Sequence, residues 1–170
     1  ENVPGLLLYR KGAIAKIILQ EFHRIGYSVI PLILLAADFG VPQLRRRVFF
    51  IGNRTGQPIS FPQPTHGDPD LWKDFALPFA HLSRIGNKNA PKHLLDHVSI
   101  SEACSDLPPI SEGGVYPDGE YPLAPQPKYQ ERMRQNSKNL TLHRAFPISP
   151  SDRQCIPFIP QGGNWRDIPQ

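Results

Sequence analysis

The chain of 170 residues suffices for one modest domain with its own core. Its hydrophobic content is 39%, and the longest apolar run, Val29 to Ala37, is short and holds Pro31, which excludes a bilayer-spanning helix there. With only Cys104 and Cys155, a disulfide framework is not implied and a reducing compartment fits.

The net charge of +4 is uneven, with eight Lys and Arg against three Asp and Glu in residues 1–60, and eleven against twelve in residues 61–170. A polyanionic partner would meet the N-terminal part, although an ordinary solvated surface accounts for charge alone. Proline is uneven too, with four in residues 1–60 and sixteen beyond.

Ile14, Ile17, Ile18, Phe22 and Ile25 recur at spacings of three and four, which predicts an amphipathic helix stopped by Gly26. The apolar run from Tyr27 to Leu35 predicts a buried strand with Pro31 at an edge or bulge, and Arg47 to Gly52 predicts another. Helix, strand, loop and strand predict part of an α/β sheet with functional residues in the loop at a strand end. Beyond residue 53 periodicity fades, so residues 55–130 are expected to hold loops or partial disorder, with Phe61, Trp72, Phe75 and Phe79 opposing complete disorder. Short helices are predicted from Ser101 to Leu107, capped by Ser99 or Ser101 and ended by Pro108-Pro109, and from Lys128 to Ser137.

Two segments carry chemistry: Glu1-Asn2-Val3-Pro4-Gly5, and Asp38-Phe39-Gly40-Val41-Pro42-Gln43-Leu44-Arg45-Arg46-Arg47 at the start of the second strand. An extended chain there would group Gln43, Arg45 and Arg47 on one side and turn Arg46 away. Guanidinium groups hold carbonyl oxygens and phosphates with paired donors. A carboxyl such as Glu1 can donate and accept side by side when one oxygen carries a proton.

In this order and spacing the two segments resemble the DNA cytosine-5 methyltransferase family. Val98 to Pro109 and Asp152 to Pro169 resemble, respectively, a structural segment of bacterial members and the approach to their target-recognition region. The resemblance implies the C-terminal part of a Rossmann-like S-adenosylmethionine-dependent methyltransferase sheet over residues 1–55. An irregular, proline-rich connecting region would cover 56–140, and the start of the target-recognition region 141–170.

It implies methyl transfer from S-adenosylmethionine to C5 of a cytosine flipped out of duplex DNA, with Glu1 and Arg47 as catalytic residues. Asn2, Gln43, Arg45, Gly162, Gly163 and Arg166 would bind substrate or DNA, Arg45 by orienting the site or the flipped nucleotide's phosphate. A plainer reading makes Gly162-Gly163 a turn anchored by a buried Trp165. The family's Pro-Cys-Gln nucleophile and glycine-rich cofactor loop lie upstream of its Glu-Asn-Val motif, and neither Cys104 nor Cys155 has that context. A piece of a longer protein, inactive alone and a monomer when whole, is therefore expected wherever the host DNA resides, the cytoplasm in a bacterium. A non-catalytic DNA-binding module of the same fold, or an RNA cytosine methyltransferase, remains open. His93, His97 and Cys104 supply three zinc-type ligands, but with no Cys-x-x-Cys and no fourth ligand a metal site is not expected.

Overall fold

A computed structural model describes residues 1–67 and 94–168. The chain divides into two units, Glu1–Ile100 and Ser101–Gln170. Both combine short helices with a two-stranded sheet, an α/β arrangement.

In the first unit a one-turn helix, α1 (Gly5–Leu8), leads to a tight reversal. Arg10 and Lys11 take left-handed φ values of 49° and 55°, and Gly12 follows at 84° as the N-cap of α2 (Ala13–Arg24). Left-handed backbone costs a non-glycine residue about 1 kcal/mol or more, so only the glycine adopts it without strain. At the other end of α2, Gly26 has φ 88° and donates to His23 O at 2.9 Å, while Tyr27 N donates to Phe22 O at 2.9 Å. This is the paired-bond C-cap of a Schellman motif, closed by an edge-on contact of the Phe22 and Tyr27 rings.

The buried stripe of α2 differs from the predicted one. Ile14, Ile18 and Phe22 of the predicted stripe turn inward together with Ala15 and Leu19, while Ile17 and Ile25 are exposed. The inward stripe is thus shifted toward Ala15, which is buried.

Strands β1 (Ser28–Leu35) and β2 (Arg46–Asn53) pair antiparallel from Ser28↔Asn53 to Leu35↔Arg46. On its other side β2 carries the N-terminus: Asn2 N donates to Val48 O and Val48 N donates to Asn2 O, both at 2.8 Å. Since Val48 turns both backbone groups toward Asn2, its pair with Ile33 is of the non-hydrogen-bonded kind, and so is Pro31 with Phe50 two residues on. The Pro31 nitrogen therefore faces away from β2, where no donor is required. Leu7, Ala15, Ile33 and Val48 form the core, with Leu6 and Phe50 packed against it.

After β1 a 3-10 turn, Ala36–Phe39, ends at Gly40 (φ 78°). Residues 54–67 hold no helix or strand. The Trp72, Phe75 and Phe79 aromatics and the prolines between residues 68 and 93 lie outside the described residues.

In the second unit, α3 (Ile100–Cys104) and α4 (Lys128–Arg134) are shorter than predicted. Between and after them β3 (Gly119–Glu120) pairs with β4 (Asn139–Leu140), and α5 (Pro150–Cys155) is N-capped by Ser149, whose hydroxyl accepts from Asp152 N. Polar groups organise this unit. Buried Gln130 donates to Glu102 O at 2.8 Å and Ser105 Oγ at 2.9 Å and accepts from Gln126 N at 3.0 Å. Arg134 pairs with buried Asp106, donates to Leu123 O at 2.8 Å and lies 3.6 Å from the centre of the Tyr121 ring. The segment expected to be structural, Val98 to Pro109, thus supplies the Asp106 anchor.

Candidate functional site

Strand pairing decides where the first signature lies. With Asn2 opposite Val48, the neighbouring residues Glu1 and Arg47 fall on the same face of the ribbon as diagonal neighbours. Arg47 Nε lies 3.4 Å from Glu1 Oε2, and Arg47 Nη1 donates to Arg46 O at 2.7 Å. The Arg47 side chain is only 22% exposed and Glu1 is 51% exposed, so the guanidinium is walled by protein while the carboxylate opens to solvent. Asn2 Oδ1 accepts from Val3 N at 2.8 Å and stiffens the turn behind the carboxylate. The arrangement offers a carboxyl and a guanidinium to one planar group, donors beside acceptors.

The approach to β2 is not extended as expected. Gln43 N donates to Val41 O at 2.7 Å and Arg45 N donates to Gln43 O at 2.8 Å, two successive three-residue turns. Simple alternation therefore fails before Arg46. Gln43 and Arg45 are exposed, make no side-chain hydrogen bond or ion pair among the described residues, and are not joined to the Glu1–Arg47 pair.

Sequence reasoning missed a pair behind this loop. Asp38, buried in the 3-10 turn, accepts from His97 Nε2 at 2.9 Å through Oδ1, across 59 positions of sequence. The Asp38 carbonyl also accepts from Thr65 N at 2.9 Å and His66 N at 3.0 Å. The His66 ring lies so close to Gly40 that a Cβ there would come within 2.8 Å of Cε1. A carboxylate closing an apolar run was the one available signal, since such a group needs a partner when buried. His97 is thus engaged by Asp38, His93 lies outside the described residues, and no group of three metal-type ligands gathers among the described residues.

In the second unit Asn164 and Asp167 form a capping box around a 3-10 turn, Trp165–Asp167: Asp167 Oδ2 accepts from Asn164 N at 2.8 Å, and Asn164 Oδ1 accepts from Arg166 N at 3.0 Å. Trp165 is 69% exposed rather than buried, with the Arg166 guanidinium 5.2 Å from its ring centre. The capping box, not a buried indole, holds the turn. Gly162 has φ 77° and open space where a Cβ would lie. At Gly163 a Cβ would meet Pro160 Cγ at 2.7 Å, so the turn's own packing excludes a side chain.

Residues 1–141 match the model of the C-5 cytosine-specific DNA methylase family. Type II methyltransferase M.DdeI of Desulfomicrobium norvegicum is 36% identical over 151 residues, 86% of this chain and 31% of that protein. Type II methyltransferase M.AgeI of Thalassovita gelatinovora is 35% identical, with 85% and 33% covered. DNA (cytosine-5)-methyltransferase PliMCI of Paracentrotus lividus is 28% identical over 99% of this chain and 11% of its own length. The chain spans about a third or less of these curated relatives.

Proposed function

Because the chain belongs to the C-5 cytosine-specific DNA methylases, we propose that it supplies the base-holding part of an active site that methylates C5 of a cytosine flipped out of duplex DNA. The observation that carries this reading is the Glu1–Arg47 pair, brought to one face by the Asn2–Val48 bridge. Glu1 hydrogen-bonds N3 and N4 of the base and delivers a proton toward N3, which makes C6 a better electrophile for a thiolate. Arg47 holds the O2 carbonyl, where negative charge grows during that attack. Gln43 and Arg45 brace the flipped nucleotide through its phosphates, and the positive balance of residues 1–60 favours the same polyanion. Arg166, beside Gly162-Gly163 and within residues 141–170, contacts DNA at the start of the target-recognition region.

S-adenosylmethionine supplies the methyl group in this chemistry. The described residues do not build its cradle: Asp38, the carboxylate after β1, is buried against His97 rather than free for ribose hydroxyls. We assign the cofactor loop and the cysteine nucleophile to a segment preceding Glu1, and β1 with β2 to the edge of a Rossmann-like sheet, where antiparallel pairing is common.

The test is methyl transfer from tritiated S-adenosylmethionine to duplex DNA by the protein expressed from its complete reading frame, with bisulfite sequencing to place the mark. Methylation at cytosine C5 is expected. DNA binding without transfer would instead establish a non-catalytic module, and transfer confined to transfer RNA an RNA enzyme.

A further inference from the structure

The exposed arm Gln43-Leu44-Arg45 has few supports of its own. Its two internal bonds are backbone turns, and its Gln43 and Arg45 side chains reach into solvent. It is tied down at its base, where Ala36 N donates to Arg45 O at 2.9 Å and Val41 N donates to Ala36 O at 3.3 Å. The 3-10 turn that carries Ala36 is in turn clamped from behind. Asp38 receives His97 at its carboxylate and Thr65 and His66 at its carbonyl, while Leu95 N donates to Thr65 O and Gly67 N donates to Leu95 O, so residues 65–67 and 95–97 brace each other.

We infer that Asp38 and His97 are positioning residues for the Gln43–Arg45 arm, setting where Arg45 meets the DNA backbone; this rests on the methyltransferase reading above. A carboxylate only accepts, so Nε2 of His97 carries the bonding hydrogen, and loss of that donor removes the side-chain bond that ties residues 95–97 to the 3-10 turn. The turn then relaxes, and the arm moves with it. Arg47 is held separately, by eight cross-strand pairs between β1 and β2 and by the Asn2 bridge, so the lock acts on Arg45 and not on Arg47.

The experiment is a pair of double-mutant cycles on the protein from its complete reading frame, reading kcat and KM for duplex DNA. His97→Leu is expected to lower kcat/KM for DNA by roughly tenfold to a hundredfold, the range a displacement of about 1 Å produces. His97→Gln, which keeps a donor, should recover part of that loss. In an Arg45→Ala background the further effect of His97→Leu should fall below about twofold, whereas in an Arg47→Ala background it should persist in full. Independent, multiplicative losses with Arg45→Ala would overturn the inference, as would an Arg45→Ala variant with normal kinetics. Should His97→Leu fail to fold, Asp38→Ala takes its place in the same cycles. A wild-type protein that methylates no cytosine would instead remove the functional reading beneath, so the two failures are told apart.

Discussion

If Glu1 acts as proposed, replacing it by Gln separates proton delivery from base recognition. The amide is nearly isosteric and can still donate to cytosine N3 and accept from N4, so both hydrogen bonds to the base survive. What disappears is the transferable proton, and general acid catalysis by a positioned side chain contributes about 10²–10⁴-fold. The ion pair to Arg47 is also lost. At 3.4 Å, with Glu1 51% exposed, solvent screens it, and an interaction of this kind contributes about 0.2–1 kcal/mol, or at most about fivefold in an equilibrium constant. The expected outcome is therefore a kcat lowered by about a hundredfold or more, with the Kd for duplex DNA changed by less than about fivefold. Single-turnover methyl transfer and equilibrium binding of an oligonucleotide with one target cytosine measure the two quantities separately. Equal losses in rate and binding would refute the acid role and leave Glu1 as a binding group only.

Three further substitutions test the framework around the site, each read as the unfolding midpoint in urea. Val48→Ala removes two methyl groups from the centre of the core and should destabilise by about 2–3 kcal/mol; an unchanged midpoint would mean the core is placed wrongly. Gly40→Ala meets both a φ of 78° and the His66 ring, for an expected loss of about 1–3 kcal/mol, and adding His66→Ala should restore the part due to the clash. Asp106→Ala strands the Arg134 guanidinium, whose side chain is only 13% exposed, and should cost about 3–5 kcal/mol. The Asp106→Leu, Arg134→Met double variant should be the more stable of the two, since it buries no unpaired charge; the reverse order would contradict the assignment.

How much was legible in the sequence follows from how local each signal is. Helix α2 and strands β1 and β2 were found within one or two residues, because apolar spacing and Gly26 act over a few positions. The inward face of α2 was legible in part: Ile14, Ile18 and Phe22 turn inward as expected, but buried Ala15 carries almost no hydrophobic signal. The nearness of Glu1 and Arg47 came from motif order alone; the pairing of Asn2 with Val48, which produces it, leaves no mark in composition. Alternation through Gln43 and Arg45 failed because the backbone closes two turns there. The Asp38–His97 bond spans too much chain for any local pattern, and Trp165 looked like an anchor because large aromatics are usually buried.

The bridge between Asn2 and Val48 also makes the alignment of Glu1 a matter of parity. Successive residues of a paired segment point to opposite sides, so a slip of one position would turn the carboxylate to the reverse of the ribbon, and a slip of two would carry it about 7 Å along. Inserting one residue between Val3 and Leu7, whose side chain is locked in the core, would therefore force a choice between keeping the apolar contact and keeping the acid on the same face as its arginine. Fold and chemistry are ratcheted together at that single rung.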